Sequence, residues 1–393
     1  MAIYLIVVTC VLVHAGFGGA KVAIPLHALQ LGVAPFTVGV IMAACALCPM
    51  LIALYVGRLV DRLGGRVPML IGTIGVAVAV LIPFVFEGII ALCAMAILIG
   101  PAFQFFFVPT QGITGALGGP EDRARNYSLL ALGFSIASFV GPLVAGYSID
   151  YLGYKTAYLV LAVGPACAAL LLWRKGDLLP KAAMPKGDKK EKGSAFGLLR
   201  DTKMRDAIVA SSLISVGWDL YQFYFPIYGH SIGLSPSTIG TIISTFALAV
   251  FSIRLGLARL ARKYTEFELL LYGIGFAGVA LLLFPLFRDP YLLALASFVL
   301  GLGCGVGQPM SMSLIYALSP PGRASEGAGL RVMFNHGTHL IVPLAFGGIG
   351  SALGFGPVFV SASAVLIGGS WYGQWTERKE ARTRLASAGR AQS

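Results

Sequence analysis

The chain alternates long apolar stretches with short polar loops. Twelve of these stretches are long enough to cross a bilayer as helices, since about 20 residues span the hydrocarbon core. They run approximately over residues 3–29, 36–57, 67–86, 88–116, 126–148, 153–173, 207–229, 237–257, 267–287, 290–318, 326–350 and 355–375. The pattern predicts an all-α membrane protein with twelve transmembrane helices.

The spacing of the polar segments divides the chain into two six-helix halves. We expect the first half over residues 1–173, a Lys-rich linker loop over 174–206, the second half over 207–376 and a short tail over 377–393. Charged linkers of this composition are typically flexible and are attracted to anionic lipid headgroups. Little chain is left for any further domain.

The two halves repeat each other at an offset of about 201 residues. IPLHALQLGVAPFTVG near the end of the first stretch corresponds to FPIYGHSIGLSPSTIG downstream. Matched residues at this offset are Pro25 and Pro226, Gly32 and Gly233, Pro35 and Pro236, Gly39 and Gly240, Gly72 and Gly273, and Pro142 and Pro343. A membrane protein built from two parallel repeats is typical of alternating-access carriers.

The Lys and Arg residues are concentrated in loops on one side of the predicted membrane spans. Charged residues make up 12% of the chain, against about 25% in soluble domains. Most of the 29 Lys and Arg residues lie in the even-numbered loops, the linker and the tail, which places both termini in the cytoplasm by the positive-inside rule. The net charge of +12 therefore predicts contact with anionic headgroups and no nucleic-acid partner. In a bacterium the location would be the cell inner membrane.

The segment after the second apolar stretch reads GRLVDRLGGR, from Gly57 to Arg66. A small residue here lets a neighbouring helix approach closely, and a carboxylate is stabilised by the positive end of a helix dipole. The segment resembles motif A of the major facilitator superfamily, whose acid latches the outward-facing state against the eleventh helix. The resemblance implies a conformational latch made of Gly57, Arg58, Asp61, Arg62 and Arg66.

A second resemblance lies in the fifth stretch. Gly141, Pro142 and Gly146 form a GPxxAG segment, and a Gly-Pro pair favours a helix kink against a packed neighbour. The segment is similar to motif C of the proton-coupled antiporters of the superfamily, with Ala145 in place of a glycine. The arginine that these antiporters carry in the fourth helix is absent, because Ile97 occupies that position.

Ionisable residues inside the spans are candidates for function, since each costs about 2.5–3.5 kcal/mol on insertion scales. Asp219 is the acid that lies well inside a span, and an apolar setting favours its neutral form, so it is a candidate proton carrier. A structural ion pair with Arg254 or Arg331 is the alternative. His336 and His339 are further candidates for proton transfer.

Three cations in the spans predict a substrate with a carboxylate or phosphate, because a buried positive site needs a counter-charge. These are Lys21, Arg254 and Arg331, and Asn335 lies on the helical face of Arg331. Neighbouring polar and aromatic side chains complete the predicted substrate site: Trp218, Tyr221, Gln222, Gln104 and Gln308.

These residues predict a secondary transporter, with the resemblance implying a proton-coupled exporter of a small anionic or zwitterionic amphipathic solute. Three alternatives stay open: an uptake symporter for an organic anion, a multidrug exporter of cations, and a lipid flippase. No enzymatic constellation, metal site or cofactor is expected, apart from the proton as coupling ion. We expect a monomer whose partners are the small-molecule substrate, protons and membrane lipid.

Overall fold

The protein is almost entirely helical in this computed structural model, which describes residues 2–117, 122–179, 195–320 and 323–390. The described residues contain no β-strand. The helices are α1 (Ala2–Gln30), α2 (Pro35–Leu63), α3 (Arg66–Val85), α4 (Ile89–Ala116), α5 (Arg123–Lys175), α6 (Thr202–Ser231), α7 (Pro236–Leu260), α8 (Glu266–Leu281), α9 (Pro290–Gly305), α10 (Gly307–Leu318), α11 (Ala324–Leu353) and α12 (Phe355–Arg390).

These helices account for the twelve predicted spans, with two differences in how the spans are divided. α5 contains the fifth and sixth spans, which meet at Gly153, where a φ of +78° interrupts the helical dihedrals. Glycine adopts this left-handed region without a steric penalty. The tenth span is divided between α9 and α10, which meet at Val306. The all-α class with twelve spans is confirmed.

The linker and tail contain more helix than a flexible segment would. Two short 3₁₀ helices, Gly176–Leu178 and Ala195–Arg200, flank the middle of the linker, and residues 180–194 lie outside the described residues. α12 continues through the predicted tail to Arg390. Glu, Lys, Arg and Ala are strong helix formers, so the helix continues past the apolar stretch.

Three helices are less apolar than the others. Within the described residues, eight helices are long and apolar enough to cross a membrane, and one of them, over residues 125–178, holds two spans. α6 and α11 are not among them, and α2 qualifies only as the shorter apolar stretch Pro35–Pro49. Polar side chains on α6 and α11 lower their hydropathy, and these helices carry most of the candidate site.

The chain forms two compact units that do not coincide with the two sequence halves. The first unit comprises residues 1–189, 220–248 and 339–354, and the second comprises residues 190–219, 249–338 and 355–393. Three helices of the second half, α6, α7 and α11, therefore each contribute a segment to the unit that contains α1–α5.

Matched residues of the repeat join α2 to α11 and α5 to α7 inside the first unit. A Cβ atom on Gly39 would overlap the carbonyl oxygen of Pro343, and a Cβ atom on Gly240 would overlap that of Pro142. Gly39 and Gly240 are equivalent at the repeat offset of 201 residues, and so are Pro142 and Pro343, so the two contacts are related by the repeat. Missing side chains allow helix backbones to approach closely, as small residues do in membrane bundles. This is why segments of the second half belong to the same compact unit as the first half.

A second, weaker pair of contacts obeys the same symmetry. A Cβ atom on Gly146 would overlap the carbonyl oxygen of Pro236, and one on Gly347 would lie 3.4 Å from the carbonyl oxygen of Pro35. All of these contacts lie near the start of α2 or α7. That end of the bundle is opposite the linker, since an odd number of spans separates it from residues 174–206.

Candidate functional site

The polar face of α11 meets α6 and α10 in the second unit. Arg331 is only 7% exposed, and its Nη1 atom donates to the Ser311 Oγ atom at 3.2 Å and to the Ser211 Oγ atom at 3.4 Å. The Nε atom of Arg331 is buried and has no hydrogen-bond partner. The guanidinium group is therefore held by two neutral hydroxyls, and its buried Nε–H group lacks an acceptor.

Asn335, one turn further along α11, faces the same way. Its Oδ1 atom accepts a hydrogen bond from the Ser211 Oγ atom at 3.4 Å. Ser211 thus contacts both Arg331 and Asn335, as expected from their spacing of four residues. The predicted shared face of these two side chains is confirmed.

Asp219 on α6 is 8% exposed and is bonded to a hydroxyl. The Thr338 Oγ1 atom lies 3.1 Å from the Asp219 Oδ2 atom and 2.7 Å from the carbonyl oxygen of Asn335. A hydroxyl has one proton to donate, so it donates to only one of these two acceptors at a time. A change at the Asp219 carboxyl group is therefore coupled directly to the α11 backbone.

Arg254 on α7 contacts Gln308 at the start of α10. Its Nη2 atom donates to the Gln308 Oε1 atom at 3.4 Å, and its Nε atom is buried without a hydrogen-bond partner. Arg254 and Arg331 are thus both bonded to neutral side chains, and neither forms an ion pair with an acid in the described part of the chain. Among the described residues, no ion pair joins Asp219 to Arg254 or to Arg331.

The first unit has its own cation, Lys21 on α1, beside a group of aromatic rings. The Lys21 Nζ atom lies 5.7 Å from the centre of the Phe17 ring. Phe17 in turn stacks on Phe103 of α4 at 4.1 Å. Cation–π contacts of this kind contribute about 0.5–2 kcal/mol. Lys21 has no acidic partner among the residues that the structure describes.

His14 extends this aromatic group one turn along α1. Its ring lies 5.4 Å from Phe103 and 5.1 Å from Phe134 of α5, and its Nδ1 atom is buried without a hydrogen-bond partner. We call His14, Phe17, Lys21, Phe103 and Phe134 the aromatic–lysine group. It presents one ammonium group and several ring faces within the first half.

The remaining predicted contacts differ in exposure. Tyr221 is fully buried, stacks on Phe246 and donates its hydroxyl to the carbonyl oxygen of Ile242 at 3.2 Å, so its polar atom is already bonded. The others are partly exposed side chains that remain accessible: Trp218, Gln222, Gln104, His336 and His339. His339 belongs to the first unit and His336 to the second.

Of the five residues of the predicted latch, Arg66 is the one whose side chain the structure describes. Gly57, Arg58, Asp61 and Arg62 lie in the final turns of α2, and their side chains lie outside the described residues. Arg66 is described: its Nη1 atom bonds the Asp177 carboxylate, and its Nη2 atom donates to the carbonyl oxygen of Trp173 at 3.1 Å. Arg66 therefore joins α3 to the end of α5 within the first half.

The GPxxAG segment lies between two helices. On one side, a Cβ atom on Gly141 would lie 2.6 Å from the carbonyl oxygen of Ala15 in α1. On the other side, Pro142 and Gly146 contact the start of α7. The helix continues unbroken through Pro142, so the segment acts here as a close-packing surface, and the predicted kink stays a prediction.

Sequence reasoning missed three hydroxyl residues of the site: Ser211, Ser311 and Thr338. Each lies within one or two turns of a residue that was identified, but a lone Ser or Thr in a span commonly bonds the carbonyl of its own helix. The signal available was positional, since Thr338 lies between His336 and His339 in the polar stretch of α11.

Apolar spans, an internal repeat and charged groups buried in α6, α7 and α11 define a multi-pass membrane transport protein. Comparison with known proteins agrees. The family profile described as Major Facilitator Superfamily matches residues 6–343, and a second match covers residues 207–392. The chain belongs to the major facilitator superfamily, and it is a transporter and not an enzyme.

Among curated proteins, the chain is similar to two efflux proteins over nearly its full length. It is 20% identical to the quinolone resistance protein NorA of Staphylococcus aureus (strain COL), covering 91% of this chain and 92% of NorA. It is 25% identical to the multi-drug resistance efflux pump PmrA homolog of Lactococcus lactis subsp. lactis (strain IL1403), covering 92% and 90%.

Solved structures confirm the fold. A POT family transporter in complex with a thioalcohol-conjugated peptide superposes with a TM-score of 0.81 at 12% identity, covering 96% of both chains. A mutant of the nucleoside transporter NupG superposes with a TM-score of 0.77 at 14% identity, covering 95% of this chain and 99% of NupG.

Proposed function

We propose that the protein is a proton-coupled exporter of a small amphipathic solute that carries a carboxylate or another anionic group. The observation that carries this proposal is the unbalanced charge of the site. Arg331 and Arg254 are bonded to neutral partners and each keeps a buried Nε donor without an acceptor. An uncompensated cation in a span is costly, so an anionic solute would gain the interaction that the protein leaves unmade.

Each part of the site has a separate role in this proposal. Arg331 and Asn335 on α11 bind the anionic group of the solute, together with Arg254 and Gln308. In the first unit, considered by itself, Lys21 and the rings of the aromatic–lysine group offer an ammonium group and apolar ring faces to a solute that is anionic and partly apolar. Trp218, Gln222 and Gln104 provide further contacts.

Asp219 carries the proton. Protonation would make Asp219 a weaker acceptor, and the Thr338 hydroxyl would then favour the Asn335 carbonyl oxygen, which lies 2.7 Å away. This exchange links the charge of α6 to the position of α11, which holds Arg331. His336 and His339 are close along α11 and assist proton transfer.

Export is supported by relatives, since NorA and the PmrA homolog are named for drug resistance and efflux. We assign the protein to the cell inner membrane with both termini in the cytoplasm. An uptake symporter and a lipid flippase would use the same fold, and the direction of flux separates the first of these from an exporter.

Export of a cationic drug is the second candidate. Asp219 is a buried acid that would attract a cation, and the curated relatives include a multi-drug efflux pump. In that case Arg254 and Arg331 would be structural, and replacing them would leave substrate selectivity unchanged.

The test is proton flux in proteoliposomes that contain a pH-sensitive dye, with anionic and cationic solutes added in turn. We expect anionic and zwitterionic solutes alone to move protons, in the direction of antiport. Asp219→Asn should abolish proton movement in a protein that still folds. Asp219→Glu is the matched variant, because it keeps a carboxyl group that can carry the proton, and it should retain proton movement. Proton movement retained in Asp219→Asn would refute Asp219 as the carrier, and flux driven by cations alone would favour the second candidate.

A further inference from the structure

A cavity of about 380 Å³ lies within the second unit, between the ends of α6, α8, α10 and α12 that are nearest the linker. This volume is within the range of small-molecule sites. Residues near the helix ends form a polar mouth: Lys203, Asp206, Thr265, Glu266, Thr376 and Glu377. None of these residues belongs to the transport site described above.

The cavity becomes apolar with depth. Leu213, Leu271 and Leu314 line its inner part, and Leu271 is only 2% exposed. Along α6, Lys203 and Leu213 are separated by about 15 Å at 1.5 Å per residue. Val209 and Tyr372 form an exposed apolar rim, with 50% and 62% of their surfaces accessible. Such a gradient suits an amphiphile whose head stays at the membrane surface.

Two residues of the cavity differ from their equivalents in the first half. Phe267 of the cavity is equivalent to Arg66, which bonds Asp177 and packs its Nε atom against Gly176. Gly373 of the cavity is equivalent to Leu172, which is fully buried. At the first of these positions one large side chain replaces another, and at the second the second half has no side chain.

The charge of the mouth is also particular to the second half. Asp206, Glu266 and Glu377 provide three carboxylates near Lys203. The Asp206 Oδ1 atom lies 3.8 Å from the Arg205 Nε atom, and the Glu266 Oε1 atom accepts from the Ser313 Oγ atom at 2.9 Å. Their equivalents in the first half are Leu5, Gly65 and Gly176, none of which is charged. An acidic mouth attracts an ammonium group and repels an anionic head, whereas Lys203 suits a phosphate.

We propose that this cavity binds one aminophospholipid of the phosphatidylethanolamine type, taken from the leaflet on the side of the linker. The ammonium group lies among Asp206, Glu266 and Glu377, the phosphate lies near Lys203, and one acyl chain follows Leu213, Leu271 and Leu314. A water-soluble amine would not use the apolar inner part. A quaternary ammonium head has no N–H donors for the carboxylates, so phosphatidylcholine binds less well.

The test is native mass spectrometry of the purified full-length chain, titrated with three lipids of identical acyl chains and different heads. We expect the protein to retain one phosphatidylethanolamine molecule. Its affinity should be about tenfold higher than that of phosphatidylcholine or phosphatidylglycerol, because neither of these heads can donate a charge-assisted N–H hydrogen bond to the carboxylates. Replacing Glu266→Gln together with Glu377→Gln should lower phosphatidylethanolamine binding about tenfold and leave phosphatidylglycerol binding equal or stronger.

A matched pair of valines distinguishes lipid bound in this cavity from lipid bound elsewhere on the protein surface. Val209 at the rim is equivalent to Val8 of α1, and the two are 50% and 47% exposed. Val209→Trp should block the cavity and abolish the selective lipid, whereas Val8→Trp should not. Equal binding of the three lipids, an unchanged double glutamine variant, or equal losses in the two tryptophan variants would each overturn the proposal. Unchanged thermal midpoints would show that these variants fold.

Discussion

At the scale of single residues, the proposed function rests on charged side chains whose described partners are mostly neutral. Arg331 is hydrogen-bonded to a Ser side chain and Arg254 to a Gln side chain. Asp219 accepts a hydrogen bond from Thr338. Such groups cost free energy unless another charge compensates them during the transport cycle. Their replacement should therefore affect substrate binding more than folding.

Arg331→Gln should raise the apparent KM for an anionic solute about tenfold or more, because a hydrogen bond to a charged group contributes roughly 1.5–3 kcal/mol. The thermal midpoint should change little or increase, since the variant removes an uncompensated buried charge. Transport assays with a concentration series measure the first effect. Arg331→Lys is the companion variant: it keeps the charge and should retain part of the affinity. An unchanged KM in Arg331→Gln would exclude this residue from the substrate site.

Glu87, in the loop between α3 and α4, forms an ion pair with Lys155 of α5, with their Oε1 and Nζ atoms 3.0 Å apart. The hydrogen bond from Lys155, and then its charge, lower the pKa of the Glu87 carboxyl group below its ordinary value. A lowered folded-state pKa stabilises the fold above the unfolded pKa of about 4.3, and this contribution is lost as the pH falls through the folded value.

We therefore expect Glu87→Gln to lower the thermal midpoint slightly at pH 7, where the carboxylate is charged in both states. The difference from the unmodified protein should narrow in acid, below about pH 4. Because the pair is exposed, the effect at pH 7 should be small. Thermal unfolding followed at several pH values measures it, and a difference that grows towards acid would contradict the assignment.

At the scale of elements, the most informative contacts are those between glycines and proline carbonyls. Gly39 packs against Pro343 and Gly240 against Pro142, in positions that the repeat makes equivalent. A carrier that alternates between two states must make and break contacts between its halves. These crossings hold the two halves together at the end opposite the linker.

Gly240→Ala should therefore destabilise the protein by about 1–3 kcal/mol, since its methyl group would meet a backbone oxygen that cannot rotate away. Gly256→Ala on the same helix is the matched control, because a Cβ atom there meets nothing within 4 Å. In a helix interior, that change should be neutral or stabilising by up to about 1 kcal/mol. Thermal midpoints and transport rates of the two variants test this contrast, and similar losses in both would refute it.

At the scale of the whole molecule, the compact units and the sequence halves are different divisions of the chain. The first unit combines α1–α5 with segments of α6, α7 and α11. Association of the two halves is thus part of the fold and does not depend on the linker alone.

Cutting the chain between residues 189 and 190, in the linker, should give two fragments that copurify when they are coexpressed. Adding Gly39→Val and Gly240→Val should lower the copurified fraction about fivefold, which corresponds to roughly 1 kcal/mol of association free energy. Gly18→Val and Gly256→Val, at glycines with open space around them, serve as controls. Fragments that fail to associate without any substitution would show that the linker is essential.

Several properties of this protein follow from the sequence by itself. The twelve spans could be predicted because bilayer thickness imposes a length and a hydropathy on each segment, and both are local properties. The repeat and the rare charged residues in the spans, Asp219 and Arg331 among them, are equally visible in the linear chain. The resemblance at Gly57–Arg66 correctly indicated the superfamily.

Only the tertiary structure decided which residues meet. Nothing in the linear pattern indicates that Gly39 contacts Pro343, that Ser211 bonds both Arg331 and Asn335, or that Thr338 is shared between Asp219 and a backbone carbonyl. The cavity at Glu266 was equally unpredictable, since the residues that line it come from four different helices. Contacts of this kind depend on how distant helices pack, and helix packing is governed by shape over the whole bundle and not by the composition of one segment.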